Sequence, residues 1–127
     1  MPIATVTLTK GKTKEYLNQI SDSIRNAVVE AYLWPPDDLF HNFIQLEPGA
    51  FIYDRNFGGG PRSDDFIIIE LKSDARQRHH KDDVFRAITK QLAISPGVRP
   101  EDVQIILDTV SNHEDYSFGS GISANKY

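Results

Sequence analysis

The sequence contains no cysteine and no long apolar segment, and both absences narrow what the protein can be. Without cysteine there is no disulfide scaffold and no thiol nucleophile, and the nitrogen ligands for a metal are limited to four histidines. No apolar run approaches the roughly 20 residues of a membrane span, and no basic-then-apolar leader opens the chain. We therefore expect a cytoplasmic protein with no membrane partner.

Positive charge is also scarce. The 14 Lys and Arg residues stand against 18 Asp and Glu, which gives a formal net charge of −4. This balance argues against nucleic acid as the main partner, because nucleic-acid binding requires a basic surface. His79 and His80 are adjacent, and on a helix their side chains would point about 100° apart, which is the wrong spacing for a shared metal. We expect neither a nucleic-acid site nor a metal site.

The first half of the chain has the pattern of a strand, a helix and a strand. Residues 3–8 alternate like a half-buried strand, residues 13–32 carry apolar side chains at helical spacing, and residues 40–46 suit a second strand. Residues 51–53 predict a further short strand. The glycine-rich residues 56–62 match neither a P-loop nor a dinucleotide fingerprint, and they predict a mobile connection.

The same three features recur roughly 63 residues later, so the chain predicts two copies of β-α-β. The second set is predicted at residues 66–69, 75–92 and 103–110. We expect a single α+β domain over residues 1–127, a two-layer α/β arrangement with a four-stranded sheet and two helices on one face. The uncovered face is expected to be apolar, with Ile3, Ile67 and Ile69 contributing to it. Such a surface predicts an oligomer that packs these faces inward.

Pro2 is the first candidate for chemistry. If Met1 is removed, the ring nitrogen becomes a free secondary amine, and an α-amino group has a pKa of about 7.7 to 8.0 that moves readily with its surroundings. Apolar walls favour the neutral base and a nearby carboxylate favours the cation. The alternative is structural, because proline suits the first residue of a strand. A retained Met1 would leave an amide nitrogen with no basicity.

Arg76 lies where the central strand gives way to the second predicted helix. Ser73 or Asp74 is a good N-cap there, so the positive end of the helix would face the strand end. Arg76 in the first turn adds a fixed fork of donors, and together these features predict a carboxylate site. The alternative is a solvated surface arginine. Nothing in the pattern fixes how Pro2 would come near this place.

Asp38 and the tail complete the candidates. Asp38 ends a Pro-Pro-Asp-Asp turn, where its carboxylate would orient a water, hold a charged amine or simply cap the turn. Tyr116 and Phe118 follow the last predicted strand in a glycine-containing segment. They would either wall an apolar pocket or belong to a frayed end.

Taken together, these residues resemble the tautomerase superfamily, and within it the branch that contains malonate semialdehyde decarboxylase. The resemblance spans the whole chain. It rests on the Met1-Pro2 start, the turn at 36–38, residues 62–66, Arg76, residues 96–103 and the tail at 116–119.

The resemblance implies a homotrimer with the sheets facing inward and an amino-terminal proline at each active site. It also implies a role for each candidate residue. Pro2 would be the general acid or base, and Arg76 would bind the substrate carboxylate. Asp38 would orient a water molecule, while Tyr116 and Phe118 would form the pocket wall.

This chain departs from the decarboxylase at two positions. The decarboxylase has two arginines two positions apart, and Asp74 takes the place of the first; tryptophan is usual where this chain has Tyr116. An acid at position 74 would repel an anionic substrate. We therefore predict a tautomerase of a small 2-oxo or 2-hydroxy-alkenoate acid, for example a phenylpyruvate-like substrate, without a cofactor. The alternatives are a malonate semialdehyde-type decarboxylase or hydratase that uses cationic Pro2, and a non-catalytic oligomeric binding domain.

Overall fold

A computed structural model describes residues 3–110 and 113–124, and in them the predicted β-α-β-β-α-β order is confirmed. The elements are β1 (Ile3–Thr9), α1 (Lys14–Tyr32), β2 (His41–Leu46), β3 (Ile67–Asp74), α2 (Arg78–Ile94) and β4 (Val103–Val110), followed by a hairpin of β5 (Ser117–Gly119) and β6 (Ile122–Ser123). A single 3-10 turn, Pro100–Asp102, leads into β4. Neither α1 nor α2 is long and apolar enough to cross a membrane.

The first four strands form one mixed sheet in the order β2-β1-β3-β4. Each β-α-β unit pairs its own two strands in parallel, and the units join through antiparallel pairing of β1 with β3. In that pairing Ile3 lies opposite Lys72 and Thr7 lies opposite Ile68. The start of β1 and the end of β3 therefore lie at the same end of the sheet.

The core lies between this sheet and the two helices, which also contact each other. The alternation in β1 places Ala4, Val6 and Leu8 inward, and helical spacing places Ile20 and Ile24 of α1 over them. Burying a side chain of this size stabilises the fold by about 1.5–3 kcal/mol. The period of 2 in the strand and the period of 3.6 in the helix therefore place apolar side chains in one shared layer.

The uncovered face of the sheet differs from the prediction. Ile67 and Ile69 were expected on it, and this is wrong, because both are buried beneath the helices at 1% and 0% exposure. A continuous apolar run lacks the alternation that would reveal which residues face which side. The face carries both apolar and polar residues: Ile3, Thr5, Thr7, Ile44, Ile68, Glu70, Lys72 and Ile106.

The second helix begins later than predicted. Arg78 is its first residue, and Gln77 is an N-cap whose side chain makes no capping hydrogen bond. Ser73 and Asp74 were the predicted caps, and this is wrong, because β3 continues as far as Asp74 in register with β4. Ser73 is buried, and its hydroxyl donates to the Asp74 carbonyl. Strand pairing has overridden a local capping preference.

Residues 51–53 were predicted as a short strand, and this is also wrong, since they form no strand in the described structure. Phe51 and Tyr53 instead pack on the ring of Phe66, with centroid distances of 5.8 and 4.4 Å. Ile52 between them is 89% exposed. The alternation of side chains that predicted a strand arises because Phe51 and Tyr53 belong to an aromatic cluster under a loop, while Ile52 points away from it.

Residues 62–66 and 96–103, two of the runs that carry the family resemblance, meet at Asp102. Its buried carboxylate accepts hydrogen bonds from Ser63 N at 2.7 Å, Ser63 Oγ at 2.6 Å and Arg99 Nε at 3.3 Å. Burial alone would raise the pKa of Asp102, but these donors hold it below its usual value. These runs thus fasten the segment before β3 to the turn before β4.

His41 makes the stability of the fold depend on pH. Its Nδ1 lies 2.7 Å from Ser21 Oγ of α1, and burial lowers the pKa of His41 from 6.5 to about 4, with Arg25 adding to the effect. The folded state therefore disfavours the charged ring. The contribution of His41 to stability is fully present above its unfolded pKa near 6.5, and it is lost as the pH falls through that value towards 4. The full loss in the free energy of unfolding from this group is about 3 kcal/mol.

We expect the free energy of unfolding, measured with urea, to fall between about pH 7 and about pH 4.5. Replacing His41 with glutamine should remove most of that fall, because no group is left there to protonate. Exposed His79→Gln on α2 is the matched control and should keep the wild-type dependence. An unchanged pH dependence in the His41 variant would contradict the assignment.

Candidate active site

A cavity of about 240 Å³ opens where β3 ends. It is lined by the turn after α1, by the link between β3 and α2, and by the tail. The lining residues are Trp34, Pro35, Asp38, Asp74, Arg76, His113, Tyr116, Phe118 and Ala124. Four predicted site residues, Asp38, Arg76, Tyr116 and Phe118, therefore lie around one cavity. The fifth, Pro2, lies outside the described residues.

A larger groove of about 410 Å³ between α1 and α2 offers less chemistry. Asp83 and Arg86 on its wall pair with each other, and Glu30 and Lys90 are exposed. Ligand sites combine apolar walls with a few polar groups that converge. The smaller cavity has both, so we place the candidate site there.

Arg76 is held on two sides. Its Nε donates to Asp74 Oδ1 at 3.1 Å, and its guanidinium lies 4.5 Å from the ring centre of Tyr32 and 5.8 Å from that of Trp34. Only 21% of the Arg76 side chain is exposed, so it is not the solvated surface arginine of the alternative. Its two Nη atoms make no hydrogen bond within residues 3–110 and 113–124. Their donors are free for an anion in the cavity.

The start of α2 does not contribute to this site, contrary to the prediction. The helix begins at Arg78, two residues beyond Arg76, and no lining residue in the described chain belongs to it. Among the described lining residues, positive charge comes from the guanidinium of Arg76 rather than from a helix end.

Asp38 contributes a half-buried carboxylate. The turn that contains it is closed by the backbone, since Asp38 N donates to Pro35 O at 3.1 Å. Asp38 Oδ1 is buried and has no hydrogen-bond partner among the described residues. Burial raises the pKa of Asp38. An unpaired buried carboxylate oxygen is costly, and it marks a group free to bind a water or a cation.

The tail folds over the cavity as the hairpin of β5 and β6, so the frayed-end alternative is wrong for these residues. Phe118 stacks on Phe40 with ring centres 6.0 Å apart, and Tyr116 meets Phe118 edge-on at 5.5 Å. Ala124 N donates to Tyr116 O at 3.0 Å and closes the hairpin. Burial raises the pKa of Tyr116, so its hydroxyl remains a hydrogen-bond donor near neutral pH.

Trp34 and His113 are two aromatic lining residues that were not predicted as part of a site. Trp34 was not singled out from the sequence, although it is the one tryptophan of the chain and directly precedes the turn with Asp38. His113 gave no signal, because it stands in an irregular segment; its ring meets Tyr116 edge-on at 5.8 Å. Within the described ranges no three His, Asp or Glu side chains gather closely enough to hold a metal ion.

The topology brings the beginning of the described chain to this end of the sheet. Ile3 lies opposite Lys72, and Asp74 follows two residues further along the same strand. This proximity depends on the antiparallel pairing of β1 with β3, which strand periodicity alone does not fix.

Comparison with known proteins agrees with the fold. A family model described as a tautomerase enzyme matches residues 38–119, and the chain belongs to that family. The probable tautomerase YusQ of Bacillus subtilis (strain 168) is 32% identical over 122 residues, with 95% of each chain covered.

Two malonate semialdehyde decarboxylases of known structure are similar over nearly the whole chain. One has a TM-score of 0.89 and 26% identity, covering 94% of this chain and 92% of its own. The other, the FG41 enzyme inhibited by 3-bromopropiolate, has a TM-score of 0.87 and 31% identity, covering 97% and 92%. The resemblance to this branch of the tautomerase superfamily is confirmed.

Proposed function

We propose that the protein is a cofactor-independent tautomerase that interconverts the keto and enol forms of a small 2-oxo carboxylic acid, such as a phenylpyruvate-like substrate. The observation that carries the proposal is the cavity at the end of β3. It combines a guanidinium with free Nη groups, a half-buried carboxylate with one unpaired oxygen, and aromatic walls. These are the groups that bind and orient an acid with an apolar remainder.

Pro2 is the proposed proton carrier, because it directly precedes Ile3, whose strand begins at this end of the sheet. In its neutral form the amine takes a proton from the carbon next to the substrate carbonyl. The electron pair of that C–H bond forms the C=C bond of the enol, and the protonated amine returns the proton to the carbonyl oxygen. Positioned proton transfer of this kind contributes about 10² to 10⁴ in rate.

The remaining residues have supporting roles in this proposal. Arg76 binds the carboxylate and stabilises the enolate through its Nη groups, since fixed donors at a developing oxyanion lower the barrier. Asp38 orients a water molecule with its unpaired oxygen. Tyr116 and Phe118 form the wall that contacts the apolar part of the substrate.

The structural relatives support an amino-terminal proline and an acidic substrate. Malonate semialdehyde decarboxylase has been solved as wild type, in an inactivated form, and with its first residue, a proline, replaced by alanine. The FG41 enzyme is inhibited by 3-bromopropiolate, a small carboxylate.

A second candidate is decarboxylation or hydration of a 3-oxo acid, which the similarity to two decarboxylases favours. Here cationic Pro2 would polarise the substrate carbonyl. Against it stands Asp74, which lies in the cavity beside Arg76 where the decarboxylase has the first of its two arginines, so that one positive charge of that pair is replaced by a negative one. We therefore rank tautomerisation first.

The pH dependence of kcat/KM separates the two candidates. For the tautomerase, measured as the decay of enol absorbance with intact mass confirming loss of Met1, activity should rise as the pH increases through the pKa of the Pro2 amine. For the decarboxylase it should fall over the same range. No activity on either type of acid by protein with an exposed Pro2 would favour the non-catalytic binding domain.

We also propose a homotrimer with the uncovered sheet faces inward. Ile44 and Ile106 on that face are 46% and 45% exposed in the single chain. Exposed apolar side chains on a sheet face generally mark association.

A further inference from the structure

Asp74 is the described carboxylate that both lines the cavity and binds Arg76. Its Oδ1 accepts from Arg76 Nε at 3.1 Å, while the ring of Tyr32 lies 4.5 Å from the guanidinium. A guanidinium is planar, so one hydrogen bond at Nε and a ring contact at its face fix the plane. The two Nη groups are then the part of Arg76 left for a ligand.

The charges of the cavity favour an anion with one carboxylate. Among the described lining residues, Arg76 is the only Lys or Arg, and it shares the cavity with two carboxylates, Asp38 and Asp74. One ligand carboxylate can use the Nη groups of Arg76. A second would find no Lys or Arg in that lining and would meet the charge of Asp74 at close range. Like charges in partly buried sites repel measurably, because solvent screening there is incomplete.

The rest of the lining suits an apolar remainder. Trp34 is 7% exposed and turns its ring towards Arg76, while Tyr116 and Phe118 meet edge-on across the wall. A cavity of about 240 Å³ has room for a ring of the size of phenyl together with a short acid chain.

We propose that Asp74 is a positioning and specificity-determining residue. It fixes the plane of Arg76 and disfavours dicarboxylates, so that the site takes monocarboxylates. The ring-lined wall then selects those with an aromatic or other unsaturated apolar remainder. The inference rests on the proposed function in taking this cavity as the substrate site, but it concerns recognition rather than proton transfer.

Two unreactive probes that share one ring test the proposal. Phenylacetate carries one carboxylate and phenylmalonate carries two, and titration calorimetry on the full chain measures their affinities without turnover. We expect wild-type protein to bind phenylacetate at least about 10-fold more tightly, because one extra unpaired charge opposes the other ligand. Replacing Asp74 with asparagine should reduce that ratio about 10-fold, mainly through tighter phenylmalonate binding.

Asp22→Asn on α1 is the matched control. It removes one carboxylate from an arginine ion pair of the same 3.1 Å length outside the cavity, and it should leave the ratio unchanged. Asp74→Glu keeps the charge and should keep the ratio. Asp74→Ser serves as a second neutral variant if the asparagine variant fails to fold.

An unchanged ratio in the neutral Asp74 variants, an equal change in Asp22→Asn, or no binding of either probe by wild-type protein would overturn the proposal. The outcome is separable from that of the proposed function. Selective binding without tautomerase activity would leave the recognition role intact and remove the catalytic proposal. Tautomerase activity with an unchanged ratio would do the reverse.

Discussion

Replacing Arg76 with alanine should lower kcat/KM for the enol acid by about 10²- to 10³-fold, comparable to removing a donor from an oxyanion site. The variant loses the one Lys or Arg among the described lining residues. It also leaves the Asp74 carboxylate without its partner, so a substrate anion would meet uncompensated negative charge. Both effects weaken binding of the substrate and of the enolate.

Two further variants show which property of Arg76 matters. Arg76→Lys keeps the charge but loses the forked donors and the planar contact with Tyr32, so its activity should lie between alanine and wild type. Arg86→Ala removes a guanidinium that pairs with Asp83 on α2, away from the cavity, and should be silent. If Arg76→Ala retained activity within about threefold of wild type, the carboxylate site would have to lie elsewhere.

Covering the nitrogen of Pro2 should reduce kcat by about 10² to 10⁴, the contribution of positioned proton transfer. The comparison is between the chain that begins at Pro2 and the same chain with one additional residue in front of it. The extension converts the amine to an amide, which has no basicity near neutral pH, and changes no side chain. Intact mass verifies each form, and stopped-flow measurement of enol decay gives kcat.

Removing the extension with a protease should restore the activity, which excludes damage to the fold as the cause. Pro2→Ala keeps an exposed but primary amine and should retain part of the rate. Equal rates for the covered and uncovered forms would show that the ring nitrogen takes no part in the reaction.

Sequence periodicity was enough for the order of elements in the two β-α-β units, because each of those strands and helices carries its own local pattern. The pairing partner of each strand could not be predicted from the strand's own pattern. The antiparallel pairing of Ile3 with Lys72 brings β1 to the cavity end of the sheet, and neither strand alone specifies it. The parallel pairing of β3 with β4 kept Ser73 and Asp74 in β3 and displaced the expected helix cap.

At the site, the chemistry of single residues could be predicted from the sequence, whereas the contacts around them could not. Arg76 and Asp38 stood out because a guanidinium after a strand and a carboxylate in a proline turn suit binding. The contacts that define their state were invisible in the sequence. These are the ring of Tyr32 against the guanidinium and the absence of a partner for Asp38 Oδ1 in the described chain.

The hairpin of β5 and β6 has a consequence for how such a protein diversifies. It forms its own two-stranded sheet and, among the described residues, shares no ladder with the four central strands, yet it supplies Tyr116 and Phe118 to the cavity. Substitutions in this hairpin change the shape of the cavity, while the four-stranded sheet keeps its backbone hydrogen bonds. Changes in residues 116–123 can therefore reshape the cavity without breaking hydrogen bonds of the four-stranded sheet.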